Sequence, residues 1–196
     1  MNRLAILASL LSAGFVLSAQ AAPVTYVIDN SHTYPHFTYN HLGFSNQTHK
    51  FDKTSGKIVI DRAAKTGSAD VTIEATSVNT GYALFNEHIQ GADYFDTAKY
   101  PTIRFKADAI QFKGDVPASL SGTLTIKGVT KPVSLTITHF KCQPHPMLKV
   151  DACGANATTQ VKRSDFNMGK NAPYVSDEVT LNLAIEAVKE HAPAAE

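Results

Sequence analysis

The chain has 196 residues, 43% of them hydrophobic and 18% charged, and its 18 Lys plus Arg against 17 Asp plus Glu leave a net charge of +1. That is enough chain for one sizeable domain whose core needs no metal, and it is too apolar to be disordered. Balanced charge with no basic block gives no electrostatic footing for nucleic acid, and the absence of tryptophan removes a common stacking platform.

Residues 1–21 read as a secretory signal. Arg3 supplies the positive start, Leu4 to Leu17 form a mostly apolar run, and Ala19-Gln20-Ala21 is an A-x-A cleavage site. The run is short for a membrane span and small residues follow it. The expectation is an exported, periplasmic protein with no stable membrane insertion after cleavage. Its folded body covers 22–190, and a flexible tail covers 191–196.

Period-two alternation recurs along the body. Val71, Ile73 and Ala75 share one face, with Thr72, Glu74 and Thr76 on the other. Ile103, Phe105 and Ala107 oppose Arg104, Lys106 and Asp108; Val133, Leu135 and Ile137 oppose Ser134, Thr136 and Thr138. One wet and one dry face per strand is antiparallel behaviour. With turns at Lys65-Thr66-Gly67, Lys113-Gly114-Asp115 and Lys127-Gly128, the pattern predicts eight strands. They fall near 24–41, 49–61, 68–76, 101–113, 117–127, 131–142, 153–163 and 177–189. A meander of that count closes as an all-β, up-and-down antiparallel barrel, which removes exposed edges. An immunoglobulin-type sandwich fits less well, because its cysteines lie far apart with a tryptophan between them.

A helical stripe, Leu84, Phe85, His88 and Ile89, interrupts the alternation between strands three and four. Thr80 is its expected N-cap and Gly91 lies just past its end. Asp93-Tyr94-Phe95-Asp96 reads as a further short helical turn.

Cys142 and Cys153 are separated by ten residues, including Pro144 and Pro146. In an oxidising compartment they predict a disulfide across a long hairpin loop, contributing about 3 kcal/mol. The rival is a metal site from His139, Cys142 and His145, whose H-x2-C-x2-H spacing fits no standard zinc ligand set.

The sequence holds no G-x-x-x-x-G-K-[ST], H-E-x-x-H, G-x-S-x-G or C-x-x-C. His32, His36, His41 and His49 lie close together in sequence but do not all converge on a regular strand, so no metal is expected there. By phase, His139 and Arg163 point inward. A buried Arg163 implies either an internal ion pair, with Asp165 or Asp29, or an anchor for a polar head group. Phe37, Tyr39, Phe51, Phe85, Phe95, Phe105, Phe112 and Phe166 are candidates for an apolar interior, filled or hollow.

The string Gly122-Thr-Leu-Thr-Ile-Lys-Gly-Val-Thr-Lys-Pro-Val133 resembles the G-x-L-T-I-K-G-V-T-K-P-V segment of the YceI-like family. So do Tyr100-Pro101-Thr102-Ile103-Arg104-Phe105, His41-Leu42-Gly43, Asp93-Tyr94-Phe95-Asp96, Arg163-Ser164-Asp165-Phe166 and Val175-Ser176-Asp177-Glu178-Val179. The resemblance covers essentially the whole body, in order. It implies a lipocalin-like periplasmic barrel that carries long isoprenoids, including polyprenyl quinone-type molecules, or other amphiphiles. It also implies a link to stress responses and a homodimer. Where the family often has Arg-Asp before x-His-Leu, this chain has Phe85-Asn86; where it often has Gly before x-Phe, this chain has His49.

Three functions compete: a non-catalytic lipid carrier, a filled barrel serving as an interaction protein, and a hydrolase using His41 or His88. The carrier leads, with bound isoprenoid as ligand and no cofactor. Its apolar channel would be lined by Phe37, Tyr39, Phe51, Phe85, Ile89 and Phe95 at the helix, and by Ile103, Phe105, Leu124 and Ile126 on the walls. Leu135, Ile137 and Phe166 complete it, with His41, His88 and Arg163 as possible head-group contacts.

Overall fold

A computed structural model describes residues 22–190. The expected signal segment and C-terminal tail lie outside the described residues. Eleven strand segments form one antiparallel sheet: β1 (Val24–Ile28), β2 (Tyr34–His41), β3 (Ser45–Phe51), β4 (Thr54–Asp61), β5 (Thr66–Glu74) and β6 (Val78–Asn79), then β7 (Thr102–Lys113), β8 (Val116–Ile126), β9 (Val129–Pro144), β10 (Asp151–Lys162) and β11 (Glu178–Lys189). Pairing of β1 with β11 closes the sheet into a barrel.

The eleven segments follow eight antiparallel paths. β1 and β2 are one path, broken by a 3-10 turn at Asn30–His32; β3 and β4 are a second, broken after Phe51; β5 and β6 are a third, broken at Ala75–Ser77. The breaks are adjacent and satisfy one another's backbone groups. Thr33, fully buried, donates from Oγ1 to the Glu186 carbonyl and accepts from the Glu186 N–H. Asp52 N donates to the Ser77 carbonyl, and Lys53 N to Ser77 Oγ. Past the breaks the β2–β3 hairpin leaves the β1–β4 wall and pairs with the start of β11 on one side and with β6 on the other. The backbone N–H of Thr54 likewise donates to Asn30 Oδ1, whereas its buried hydroxyl is left without a partner.

Turn chemistry follows the glycines. Lys127 and Gly128 both have positive φ, the conformation a two-residue hairpin needs. Lys127 then reaches over the barrel end and donates from Nζ to the carbonyls of Ala92 and Asn167. Gly122 lies where β7 and β8 approach closely: an added Cβ would sit 2.2 Å from the Lys106 carbonyl oxygen.

Two irregularities shift the strand phase. In β7 the register slips between Ala107 and Ala109, so Ile110 follows Phe105 and Ala107 inward. Phe112 packs on the second core cluster, outside the cavity wall. In β9 the register slips beside Thr138, so Phe140 and Cys142 turn inward. His139 is therefore exposed, contrary to its expected inward position. One extra residue in a strand reverses every side chain after it.

The helix α1 (Ala83–Ile89) starts later than expected, with Tyr82 rather than Thr80 at the N-cap. Thr80 donates instead, from N and Oγ1, to Asn86 Oδ1, tying the approach loop to the helix. Asp93 to Phe95 form hydrogen-bonded turns and not a helical turn. Cys142 and Cys153 are bonded directly across β9 and β10, with Cα atoms 4.1 Å apart. The hairpin loop lies beyond them at 145–150, where His145 Nδ1 accepts from the backbone of Met147 and Leu148. The disulfide takes the thiols away from any metal.

Candidate functional site: an apolar cavity with one polar end

A cavity of about 400 Å³ runs through the barrel. It touches both hydrophobic clusters, the large one under α1 and the small one of Tyr26, Ile60, Ile110, Cys153 and Ala187. Its size suits a small-molecule pocket.

All the apolar residues expected to line a channel do face this cavity. Phe37, Phe51, Phe85, Ile89 and Phe95 meet at the α1 end, where Phe95 packs edge-on against Phe37 and Phe51 with ring centres 5.9 and 5.4 Å away. Ile103, Phe105, Leu124, Ile126, Leu135 and Ile137 form the walls, and Phe166 closes the side beside Arg163. Period two explains the walls: these residues are the inward positions of β7, β8 and β9.

Polar side chains gather at the α1 end. Tyr39, His41, His88 and Arg163 all line the cavity there. Tyr94 and Asn171 join them, with Asn171 Nδ2 donating to the Tyr94 hydroxyl at 3.1 Å. His41 bridges to Val175, and the His88 ring packs 5.0 Å from Tyr94. The sequence reading assigned no role to Tyr94 or Asn171.

Arg163 is 9% exposed and pairs with neither Asp165 nor Asp29. Its Nε donates to the Ser176 carbonyl, Nη1 to those of Met168 and Lys170, and Nη2 to that of Val175. The guanidinium thus gathers the loop after β10 around itself. Asp29 sits elsewhere: burial pushes its carboxyl up, but hydrogen bonds from Ser31 and His32 outweigh this and hold it below its ordinary value. Asp29, His32 and Glu186 bring one ligand atom each within 4.8 Å of one another at the β1–β2 break, away from the cavity.

Beneath the polar end lies His49, 6% exposed. Its Nε2 is 3.1 Å from the Tyr39 hydroxyl, and its ring packs on Phe37, Tyr39 and Phe85. Burial pushes the imidazole below its ordinary value, against an opposing pull from the Thr80 backbone. Burial likewise pushes the Tyr39 phenol up, against a lowering pull from Arg163. His49 and Phe85, the two departures from the residues usual in the resembling family, touch each other, with ring centres 5.5 Å apart. His32 and His36 stand outside this cluster: His32 is exposed and bonded to Asp29, and His36 borders the cavity but has the strand phase opposite to Phe37.

A model of the YceI-like domain matches residues 26–187. Protein YceI of Escherichia coli is 34% identical over 176 residues, which are 88% of this chain and 90% of that one. Among solved structures, BcnA of Burkholderia cenocepacia superposes with a TM-score of 0.70 at 26% identity, covering 82% of this chain and 99% of its own. A polyisoprenoid-binding domain from Saccharophagus degradans, implicated in plant cell wall breakdown, shares the fold with a TM-score of 0.63 at 19% identity, covering 85% and 99%. The chain, from its closed eight-path barrel to its sequence motifs, belongs to the YceI-like family.

Proposed function

We propose that the protein is a non-catalytic carrier that holds a long-chain isoprenoid or similar amphiphilic lipid inside its barrel, in the periplasm. The observation that carries this reading is the cavity: it extends from the α1 end to the disulfide end, and aliphatic and aromatic side chains make nearly all of its wall. A ten-residue strand spans about 33 Å, so an extended polyprenyl chain can run most of the barrel's length. Removing such a chain from water at about 25 cal/mol per Å² supplies the affinity, net of ordering costs. The polyisoprenoid-binding domain that shares this fold supports the ligand class. The disulfide fits an exported protein.

The geometry gives a hydrolase little to work with. Among the described residues no Asp or Glu lines the cavity, so neither His41 nor His88 has an acidic partner inside it. Asp93 is paired with Lys170, whose hydrogen bond holds its carboxyl below the ordinary value. A general base needs a partner that fixes its tautomer and a reacting atom within reach.

The test is ligand extraction. The protein is purified gently from the periplasm, weighed by native mass spectrometry, and extracted with organic solvent. A stoichiometric lipid, absent from a Phe105→Asp variant that still folds, is the expected result. An apoprotein that also refuses added polyprenyl quinone would overturn the reading.

A further inference from the structure

Apart from His36, whose strand phase is opposite to the inward Phe37, the cavity's polar residues stand at its two ends. Cys153 and Arg163 mark opposite ends of β10, about 33 Å apart along an extended strand. At the Cys153 end Tyr26 is the polar side chain in the wall, and burial pushes its phenol up, so it stays neutral. At the Arg163 end stand Arg163, Tyr39, Tyr94, Asn171, His41 and His88.

Among the described residues no Asp, Glu or Lys lines the cavity, so the Arg163 guanidinium is the one permanent charge they bring to its wall. It is buried and has no salt-bridge partner among the described residues. Asp177 feels its charge but is bonded to the N–H and hydroxyl of Ser164. Carbonyl dipoles satisfy its hydrogen bonds without cancelling the charge, and a buried uncompensated charge is costly.

Unspent donors share its cavity. A guanidinium has five N–H bonds, and backbone carbonyls take four here, leaving one on Nη2. The Tyr94 hydroxyl accepts from the exposed Asn171 side chain, and among the described residues neither the phenol proton nor the second amide N–H of Asn171 has an acceptor. A positive charge and three free donors, with the neighbouring Asp93 already paired to Lys170, complement an oxyanion.

We propose that this end is a head-group site for an oxyanion, a phosphate or a carboxylate, borne on an apolar chain that runs toward Tyr26 and Cys153. The proposal rests on the carrier reading above and adds orientation and head-group charge to it. An ammonium head would bring a like charge into the same low-dielectric end.

Three probes with one isoprenoid chain test it: farnesyl phosphate, farnesoic acid and farnesylamine, titrated calorimetrically into the intact protein. The expected result is that at least one acid binds about tenfold or more tighter than the amine. If only one does, the two oxyanions are told apart. Arg163 also holds its loop, so the decisive variant is Tyr94→Phe with Asn171→Gly, which removes both polar groups, keeps the four clamping carbonyls and suits the positive φ at position 171. It should lower oxyanion affinity severalfold and leave the amine unchanged. Equal binding of all three probes, or an acid-to-amine ratio unmoved in the double variant, overturns the head-group site while the carrier stands. Failure of all three to bind overturns both.

Discussion

His49 is the one histidine buried among the described residues, and it carries a pH dependence with a definite sign. Its surroundings are aromatic and its burial outweighs the pull of the Thr80 backbone, so the folded state disfavours the imidazolium. With the folded pKa below the ordinary 6.5, the unfolded chain takes up the proton first, and stability falls as pH drops through that value. His32 acts in the opposite sense, because its bond to Asp29 raises its pKa, but it is exposed and screened. Thermal melting between about pH 7.5 and 5 should therefore show a falling Tm that flattens in His49→Phe; identical slopes would remove His49 as the cause. The alternation of His49 with Phe51 places both on one face, yet nearness in sequence to His32, His36 and His41 obscured this. Residue chemistry is plainer at the cysteines. They face each other across β9 and β10, so Cys142→Ala with Cys153→Ala should cost about 3 kcal/mol in denaturant unfolding and leave the native sheet intact. A loss within error would mean that the β9–β10 ladder already holds this hairpin closed in the unfolded ensemble.

At the scale of elements, the loop after β10 is held by one side chain. Four backbone carbonyls from Met168 to Ser176 converge on Arg163, and three of its nitrogens bind them at once. Lysine has a single ammonium and no planar fork, so Arg163→Lys strands carbonyls inside the fold. The expected loss is about 3 kcal/mol or more, with limited proteolysis cutting first between 164 and 177. A variant as protease-resistant as the parent would show that the loop holds itself. Arg163's inward position was legible from its phase with Val161, whereas its carbonyl partners were not, because they lie on a loop with no periodicity. The same division runs through the strands. Eight paths were legible because each has one wet face and one dry face. The breaks in the first three paths and the slips at Asp108 and Thr138 were not, because a break or bulge answers to the partner strand and the closure of the barrel. That is why His139 was expected inside and lies outside. The start of α1 was misplaced for a similar reason: Thr80 looks like a cap, but its hydroxyl is bonded to Asn86.

For the whole molecule the question is whether the barrel is a container or a packed core, and its two candidate functions divide there. The family resemblance named the container, but alternation alone cannot separate the two, since both need the same inward apolar residues. Ala157 tests the difference. It lies on β10 opposite Ile137 and Leu183, is buried, and faces the cavity. In a core packed at crystal-like density, Ala157→Phe forces side chains off their rotamers and costs about 1–3 kcal/mol. In a hollow barrel the new ring enters open space and gains apolar contact. The cavity of about 400 Å³ has room for one ring but not for a ring and a long chain together. The container therefore predicts a Tm within a few degrees of the parent, or above it, together with loss of the extractable lipid. A strongly destabilised Ala157→Phe would favour the packed barrel and an interaction role instead. A stable variant that still carries its lipid at full occupancy would place the chain outside the interior, a result that no arrangement of Phe105, Leu124 and Leu135 around this cavity would accommodate.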